Sequence, residues 1–178
     1  MIHPEGIPWP GTMFYNAISR STIFRKNYEL VAEDIVSCCP EGSLLDIGTG
    51  PGRLLIALHR KSPRLRLIGV DSSGPMVAQA RKNIIRAGLS PSIDIEVGNA
   101  GFLPFHGESF DVVVSTGSIH HWKEPEKGLD EVYRVLKRKG VALIYDLVSD
   151  TPQYVLDELS RDFGKLKAVL LRIHALEE

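Results

Sequence analysis

The tightest constraint on this chain is the passage from Ser43 to Gly52. Ser43-Leu44-Leu45-Asp46-Ile47 reads as a short apolar strand. It runs without a spacer into Gly48-Thr49-Gly50-Pro51-Gly52, after which residues 53–60 return to helical composition. Glycine lets the backbone turn with positive φ and lets a ligand come close, and the following helix N-terminus offers unpaired N–H groups. The spacing is not the dinucleotide fingerprint G-x-G-x-x-G, because the third glycine arrives one residue early. Asp46 stands two residues before the first glycine, where its charge disfavours a pyrophosphate and suits a cation.

The same alternation continues along the chain. Residues 65–70 read as a strand ending at Asp71, and residues 75–87 as a helix with Met76, Val77, Ala80, Ile84 and Ala87 at helical spacing. Ile93, Ile95 and Val97 alternate as a third strand. Phe110 to Ser115 is continuously apolar and reads as a strand buried on both faces. Residues 124–138 read as a helix ending in Lys137-Arg138-Lys139-Gly140, and Val141 to Tyr145 as a fifth strand. Upstream, residues 1–16 read as an irregular Pro/Gly arm, and residues 17–37 as a helix with Tyr28, Val31 and Ile35 on one face. Arg20, Arg25 and Lys26 read as a solvated face of that helix, with contact to an acidic substrate as the alternative.

Strands alternating with helices require parallel pairing through right-handed crossovers. The expected architecture is therefore α/β: a doubly wound, Rossmann-like, mainly parallel sheet with five recognisable strands and N-terminal cap helices. A length of 178 residues fits a single domain. Its expected parts are 1–37 (arm and cap helix), 38–148 (cofactor-binding core) and 149–178 (a C-terminal helical segment). Ligands of such sheets bind beyond the carboxyl ends of the strands, and Asp46, Asp71, Asn99 and Ser115 all fall at or just past predicted strand ends.

These segments resemble class I S-adenosylmethionine-dependent methyltransferases of the small-molecule type. Leu44 to Gly52 resembles the family's first motif. Ile68-Gly69-Val70-Asp71-Ser72-Ser73, with Met76 following, resembles the second-strand motif. Gly98 to Phe105 resembles the segment after strand three, Phe110 to Ser115 strand four, and Leu136 to Leu147 the last helix-to-strand unit. The resemblance spans roughly residues 40–148 in the family's order. It implies S-adenosylmethionine as cofactor and S-adenosylhomocysteine as product, with Gly48, Thr49, Gly50 and Gly52 packed under the methionine and ribose portion. It implies Asp46 near the amino-acid end, Asp71 on both ribose hydroxyls, and Ser72 and Met76 flanking ribose and adenine. Asn99 takes a position usually filled by Asp, whose family role is to accept from the adenine amine; Ala100 adds a backbone N–H. Ser115 lines the methionine end, and Tyr15 in the N-terminal cap lies over the methionine portion, with core packing as its alternative.

Orientation alone can remove about 7–11 kcal/mol of a displacement barrier, so a dedicated catalytic side chain is optional. The candidates for a base are His120 and His121, which follow strand four and carry the side chain most often used for proton transfer; ordering of the loop is the alternative role. A metal at this pair is not expected, because adjacent side chains point apart and no third ligand is nearby.

A net charge of -1 and the lack of a basic patch with interleaved aromatics argue against nucleic acid. No run reaches the length of a membrane span, and two adjacent cysteines suit a reducing, cytoplasmic setting. The expected partner is a small-molecule methyl acceptor. A nicotinamide-dependent oxidoreductase and a non-catalytic cofactor-binding module are the alternatives. The family sheet continues past strand five with an antiparallel pair that has no signal here. An uncovered strand five would invite pairing, so the chain is expected to lack those strands and to protect that edge with the apolar-periodic tail 153–176 or by homo-oligomer formation.

Overall fold

A computed structural model describes residues 11–146 of the chain. In chain order the elements are α1 (Gly11–Ile18), α2 (Thr22–Cys38), β1 (Gly42–Ile47), α3 (Arg53–Lys61), β2 (Leu65–Asp71), α4 (Gly74–Arg86), β3 (Ile93–Val97), β4 (Phe110–Thr116), α5 (Pro125–Val135) and β5 (Leu136–Tyr145). A short 3-10 turn over Ile119–His121 follows β4. The five strands form one sheet in the order β3-β2-β1-β4-β5, and every pairing is parallel. The order reverses at β1, so β1 and β4 diverge to crossovers on opposite sides and leave a crevice beyond their carboxyl ends.

Alternation along the strands sorts the core into two layers. Leu44, Leu67, Val112 and Val114 pack with Ile35, Leu54, Leu55, Leu58, Val77 and Ile84 from α2, α3 and α4. Leu45, Ile47, Val70 and Val113 pack on the other face with Leu103, Val132 and Val135. The continuously apolar reading of β4 follows from this, since Val112, Val113 and Val114 are each fully buried on a sheet covered on both sides.

Three expectations at element ends are corrected. Residues 11–16 belong to a helix rather than to an irregular arm. The prolines that suggested the arm, Pro4, Pro8 and Pro10, all precede Gly11 in the sequence. The helix expected over 17–37 is instead α2, which starts at Thr22 after a break; the amide of Ser19 closes α1 on Tyr15 O at 2.8 Å. The helix expected over 124–138 stops at Val135, and Leu136 already pairs with Phe110 in the sheet. Its basic end is taken by an acid on β4: Lys137 Nζ lies 2.8 Å from Asp111, whose Oδ2 also accepts from the amide and hydroxyl of Ser43. Lys137 and the Ser43 amide hold the Asp111 carboxyl down at about 2, so this three-way tie between β1, β4 and β5 persists across the neutral range. The expected tail helix at 153–176 lies outside the described residues.

Gly69, in the middle of β2, shows how closely the sheet and α3 approach. A Cβ there would lie 2.7 Å from Thr49 Oγ1 and 2.8 Å from both Ile95 Cδ1 and Leu55 Cδ1. Gly69→Ala is therefore expected to cost about 1–3 kcal/mol through overpacking, read as a lower urea midpoint at unchanged slope.

Candidate functional site

The site is assembled where β1 and β2 hand over to their helices. Gly48, Gly50 and Gly52 have φ of 74°, 53° and 72°, a left-handed sequence that only glycine adopts without strain. The amides of Gly48 and Thr49 both donate to Val70 O at 2.9 Å, which fastens the loop to the end of β2. Asp71 completes the joint. Its Oδ2 accepts from the Gly50 amide at 2.9 Å and its Oδ1 from the Ser73 amide at 2.9 Å. Each oxygen keeps further acceptor capacity. Ser73 then caps α4, its hydroxyl accepting from the Met76 amide.

Asp46 lies beneath this loop, only 2% exposed, with Oδ2 accepting from Thr49 Oγ1 at 2.8 Å. Burial pushes its carboxyl up to about 7; the Thr49 hydroxyl opposes that shift, and the nearby Asp71 charge adds to it. Burial also raises Asp71, against the pull of its two backbone donors. Two carboxyls at adjacent strand ends, both short of positive charge, form a pocket of negative potential in a poorly solvated place.

The cap reaches the loop from above. An added Cβ on Gly50 would stand 3.7 Å from Tyr15 Cε1, so Tyr15 faces the glycine turn, its ring edge-on to Phe24 with centroids 6.4 Å apart. Tyr28 on α2 lies close to Tyr15 and Asp46, and burial raises its phenol further above its usual range.

Past β4 the chain is pinned against the same loop. An added Cβ on Gly48 would overlap the Ser118 hydroxyl, and that hydroxyl accepts from Trp122 Nε1 at 3.0 Å. The Trp122 ring in turn fills the space over Gly128 of α5. This line of contacts holds the turn that carries His120 and His121. Their rings do not splay apart as adjacent side chains were expected to: the tight 3-10 turn brings the centroids to 4.0 Å at 53°. Among the described residues no group of three His, Cys, Asp or Glu side chains could hold a metal ion.

The remaining candidates are placed as follows. Ser115 is 1% exposed, and its hydroxyl is buried without a partner. Asn99 lies two residues past β3, its Oδ1 accepting from the Gly101 amide at 2.7 Å. Ala100 is partly buried against the α5-side core, Met76 is buried at 2%, and Ser72 is exposed. The segment bearing Asn99 and Ala100 is anchored by a pair the sequence reading passed over. Glu131 accepts from the Leu103 amide at 2.7 Å, and Arg134 donates to Phe105 O at 2.7 Å and Leu103 O at 3.1 Å while gripping Glu131 with two nitrogens. The i, i+3 spacing of Glu131 and Arg134 signals an ion pair but not this target. Ser118, Trp122 and Gly128 had no sequence signal beyond proximity to the histidines.

Comparison with known proteins accords with this arrangement. The family model described as a methyltransferase domain matches residues 45–144. The ubiquinone/menaquinone biosynthesis C-methyltransferase UbiE of Geotalea daltonii is 30% identical over 135 residues, which cover 75% of this chain and 57% of that protein. The demethylmenaquinone methyltransferase of Thermotoga maritima is 36% identical over 118 residues, covering 66% and 48%. The chain thus spans about half the length of these relatives. A solved structure from Methanococcus maripaludis, provisionally assigned as an S-adenosyl-L-methionine-dependent methyltransferase, superposes with a TM-score of 0.78 at 29% identity, covering 94% of this chain and 78% of that one. The chain belongs to the class I S-adenosylmethionine-dependent methyltransferase family.

Proposed function

We propose that this protein transfers a methyl group from S-adenosylmethionine to a small-molecule acceptor, releasing S-adenosylhomocysteine. The observation that carries the reading is the joint at Asp71, where one carboxylate fixes the glycine turn and each of its oxygens keeps further acceptor capacity. The residues present fit the cofactor. A buried carboxyl, Asp46, suits its ammonium end. The unpartnered Ser115 hydroxyl offers a hydrogen bond at the strand end, and Tyr15 faces the Gly50 turn. When bound, the cofactor supplies an electrophilic methyl on a sulfonium, open to in-line displacement.

The chain's own part is position, field and proton handling. Asp71 orients the ribose through its hydroxyls. Asp46 and Asp71 hold negative potential under the amino-acid end, and Tyr15 closes the site against water with a ring face that favours positive charge. Asn99 and Ala100, on the segment that Glu131 and Arg134 anchor, meet the adenine edge. Met76 and Ser72 bracket the ribose. Where the acceptor is a hydroxyl or an acidic carbon, His120 or His121 takes its proton as the bond to carbon forms. Among the described residues no helix is long and apolar enough to cross a membrane. Demethylmenaquinone, which the name of the Thermotoga maritima relative gives as its substrate, is the first compound to screen.

Four measurements test this. Asp71→Ala should weaken S-adenosylhomocysteine binding tenfold or more by calorimetry, since hydrogen bonds to a charged group are each worth about 1.5–3 kcal/mol. Unchanged affinity in that variant, or tighter binding of NAD than of S-adenosylhomocysteine by the native chain, would overturn the assignment.

The second concerns pH. A ligand ammonium favours ionised Asp46, so affinity should rise roughly fivefold to tenfold between about pH 6 and 7.5. In Asp46→Asn the dependence should flatten.

The third follows from the same group in the free protein. Between 3.8 and about 7 the folded chain holds a proton that the unfolded chain has released, so this group's contribution to stability falls as pH rises through that window. Ionising it in the fold costs on the order of 4 kcal/mol. Asp46→Asn should therefore raise the free protein's Tm at pH 8 more than at pH 5.

Finally, replacing the histidine that acts as base by Gln should remove the acidic limb of the pH–rate profile. Profiles unchanged in both His120→Gln and His121→Gln would leave those side chains with the ordering role alone.

A further inference from the structure

Five arginines converge on the helical side of the sheet that carries α2, α3 and α4, behind the glycine turn. Arg20 from the α1–α2 break, Arg25 from α2, Arg53 and Arg60 from α3, and Arg86 from α4 line a single cavity of about 440 Å³. Their sequence positions, from 20 to 86, give no hint of the cluster; the fold brings them together. Like charges gathered around one cavity repel, and neighbouring carboxylates do not relieve them. The only acid on the lining is Glu29, and its carboxylate is engaged by Lys61 at 3.3 Å. Among the described residues, none of Arg20, Arg25, Arg60 and Arg86 forms an ion pair.

Arg53 is the deepest member. One of its terminal nitrogens meets the neutral oxygen of Asn16 at 3.2 Å, and its Nε is buried with no partner. A buried guanidinium N–H left unpaired is costly, and among the described residues no carboxylate pairs with it. Burial, then the charges of Arg20, Arg60 and Arg86, lower its pKa, as expected of a cation held among cations. The volume lies in the range of small-ligand cavities and exceeds what one monoanion needs. Planar guanidinium forks match phosphate oxygens in bidentate geometry.

We infer that this cavity, which shares the Tyr28 wall with the strand-end site, is a second binding site for a small ligand bearing a phosphate or pyrophosphate group. It does not depend on the methyl-transfer reading. Arg53 directly follows Gly52, and Asn83 on the same lining donates to Pro51 O at 2.8 Å, so the occupant would stand just behind the glycine turn.

The test is calorimetric titration of the full chain with inorganic pyrophosphate at low salt, with and without saturating S-adenosylhomocysteine. Saturable binding is expected in both conditions, together with a rise in Tm. It should be weakened tenfold or more in Arg60→Gln and in Arg86→Gln. Without ligand, the two arginine variants should match or exceed the native Tm, because repulsion is relieved; a merely structural role for the arginines would lower it. Orthophosphate binding as tightly as pyrophosphate would mark a free-phosphate site, and tighter binding of a phosphate monoester such as glycerol phosphate would mark an esterified ligand; both uphold the site. No saturable pyrophosphate binding, binding indifferent to both arginine variants, competition by S-adenosylhomocysteine, or stronger arginine-dependent binding of a DNA duplex would overturn it. Failure of S-adenosylhomocysteine to bind while pyrophosphate does would sink only the methyl-transfer reading.

Discussion

The bond from the Gly50 amide to Asp71 Oδ2 holds the functional edge of this protein together. β1 and β2 are neighbours in the sheet, but the sheet's own hydrogen bonds end at Ile47 and Val70. Beyond that point the backbone must turn through three left-handed glycines with little to stiffen it. A carboxylate at the end of the adjacent strand supplies the missing restraint, helped by the two amides that converge on Val70 O. The helix starts of α3 and α4 are set by the same joint, since one oxygen of Asp71 holds the glycine turn and the other the Ser73 cap. A side chain serving as both strut and ligand acceptor limits what evolution or mutation can place there: an amide would keep at most part of the strut, and an alanine would lose both roles.

The rest of the site is fastened from the opposite direction. β4 sits beside β1, and the turn after it is held by contact rather than by backbone pairing: Gly128 makes room for Trp122, Trp122 donates to Ser118, and Ser118 rests on Gly48. On the same side α5 carries Glu131 and Arg134, which grip the backbone of Leu103 and Phe105. Thus α5, which contributes no direct ligand contact to the proposed site, governs two of its walls. Substitutions on α5 are expected to be felt as changes in the position of the histidine turn and of the Asn99 segment.

Charge is distributed with equal consequence. Two carboxyls raised by burial lie at the strand ends, while five arginines line one cavity, and Tyr28 stands near both Asp46 and Arg53. Neither group is neutralised by the other. Asp46 and the Arg53 Nε are buried without a partner of opposite sign, and that unmet demand is a better guide to binding than concavity alone. The strand-end carboxyls suit a cationic amino-acid moiety, and the arginines suit an oxyanion.

The sequence by itself determined the strand–helix alternation, the parallel sheet and the identity of the loop, because each rests on local periodicity and on glycine's access to left-handed backbone. Asp46 and Asp71 were legible for the same reason: a charged residue ending an apolar strand is conspicuous. Element ends were less legible. The basic run at 137–140 has helical composition, but Leu136 gains a strand partner in Phe110 and Lys137 a carboxylate in Asp111, 26 residues away. Only the tertiary structure decided which residues brace the site and where charge collects. The bracing by Trp122, Gly128, Glu131 and Arg134, the buried unpartnered hydroxyl of Ser115 and the arginine cavity all arise from contacts between elements distant along the chain. Periodicity reports which face of an element is buried, but not which element it meets, and a positive side chain on an exposed helix face reads as solvated until packing places four others around the same space.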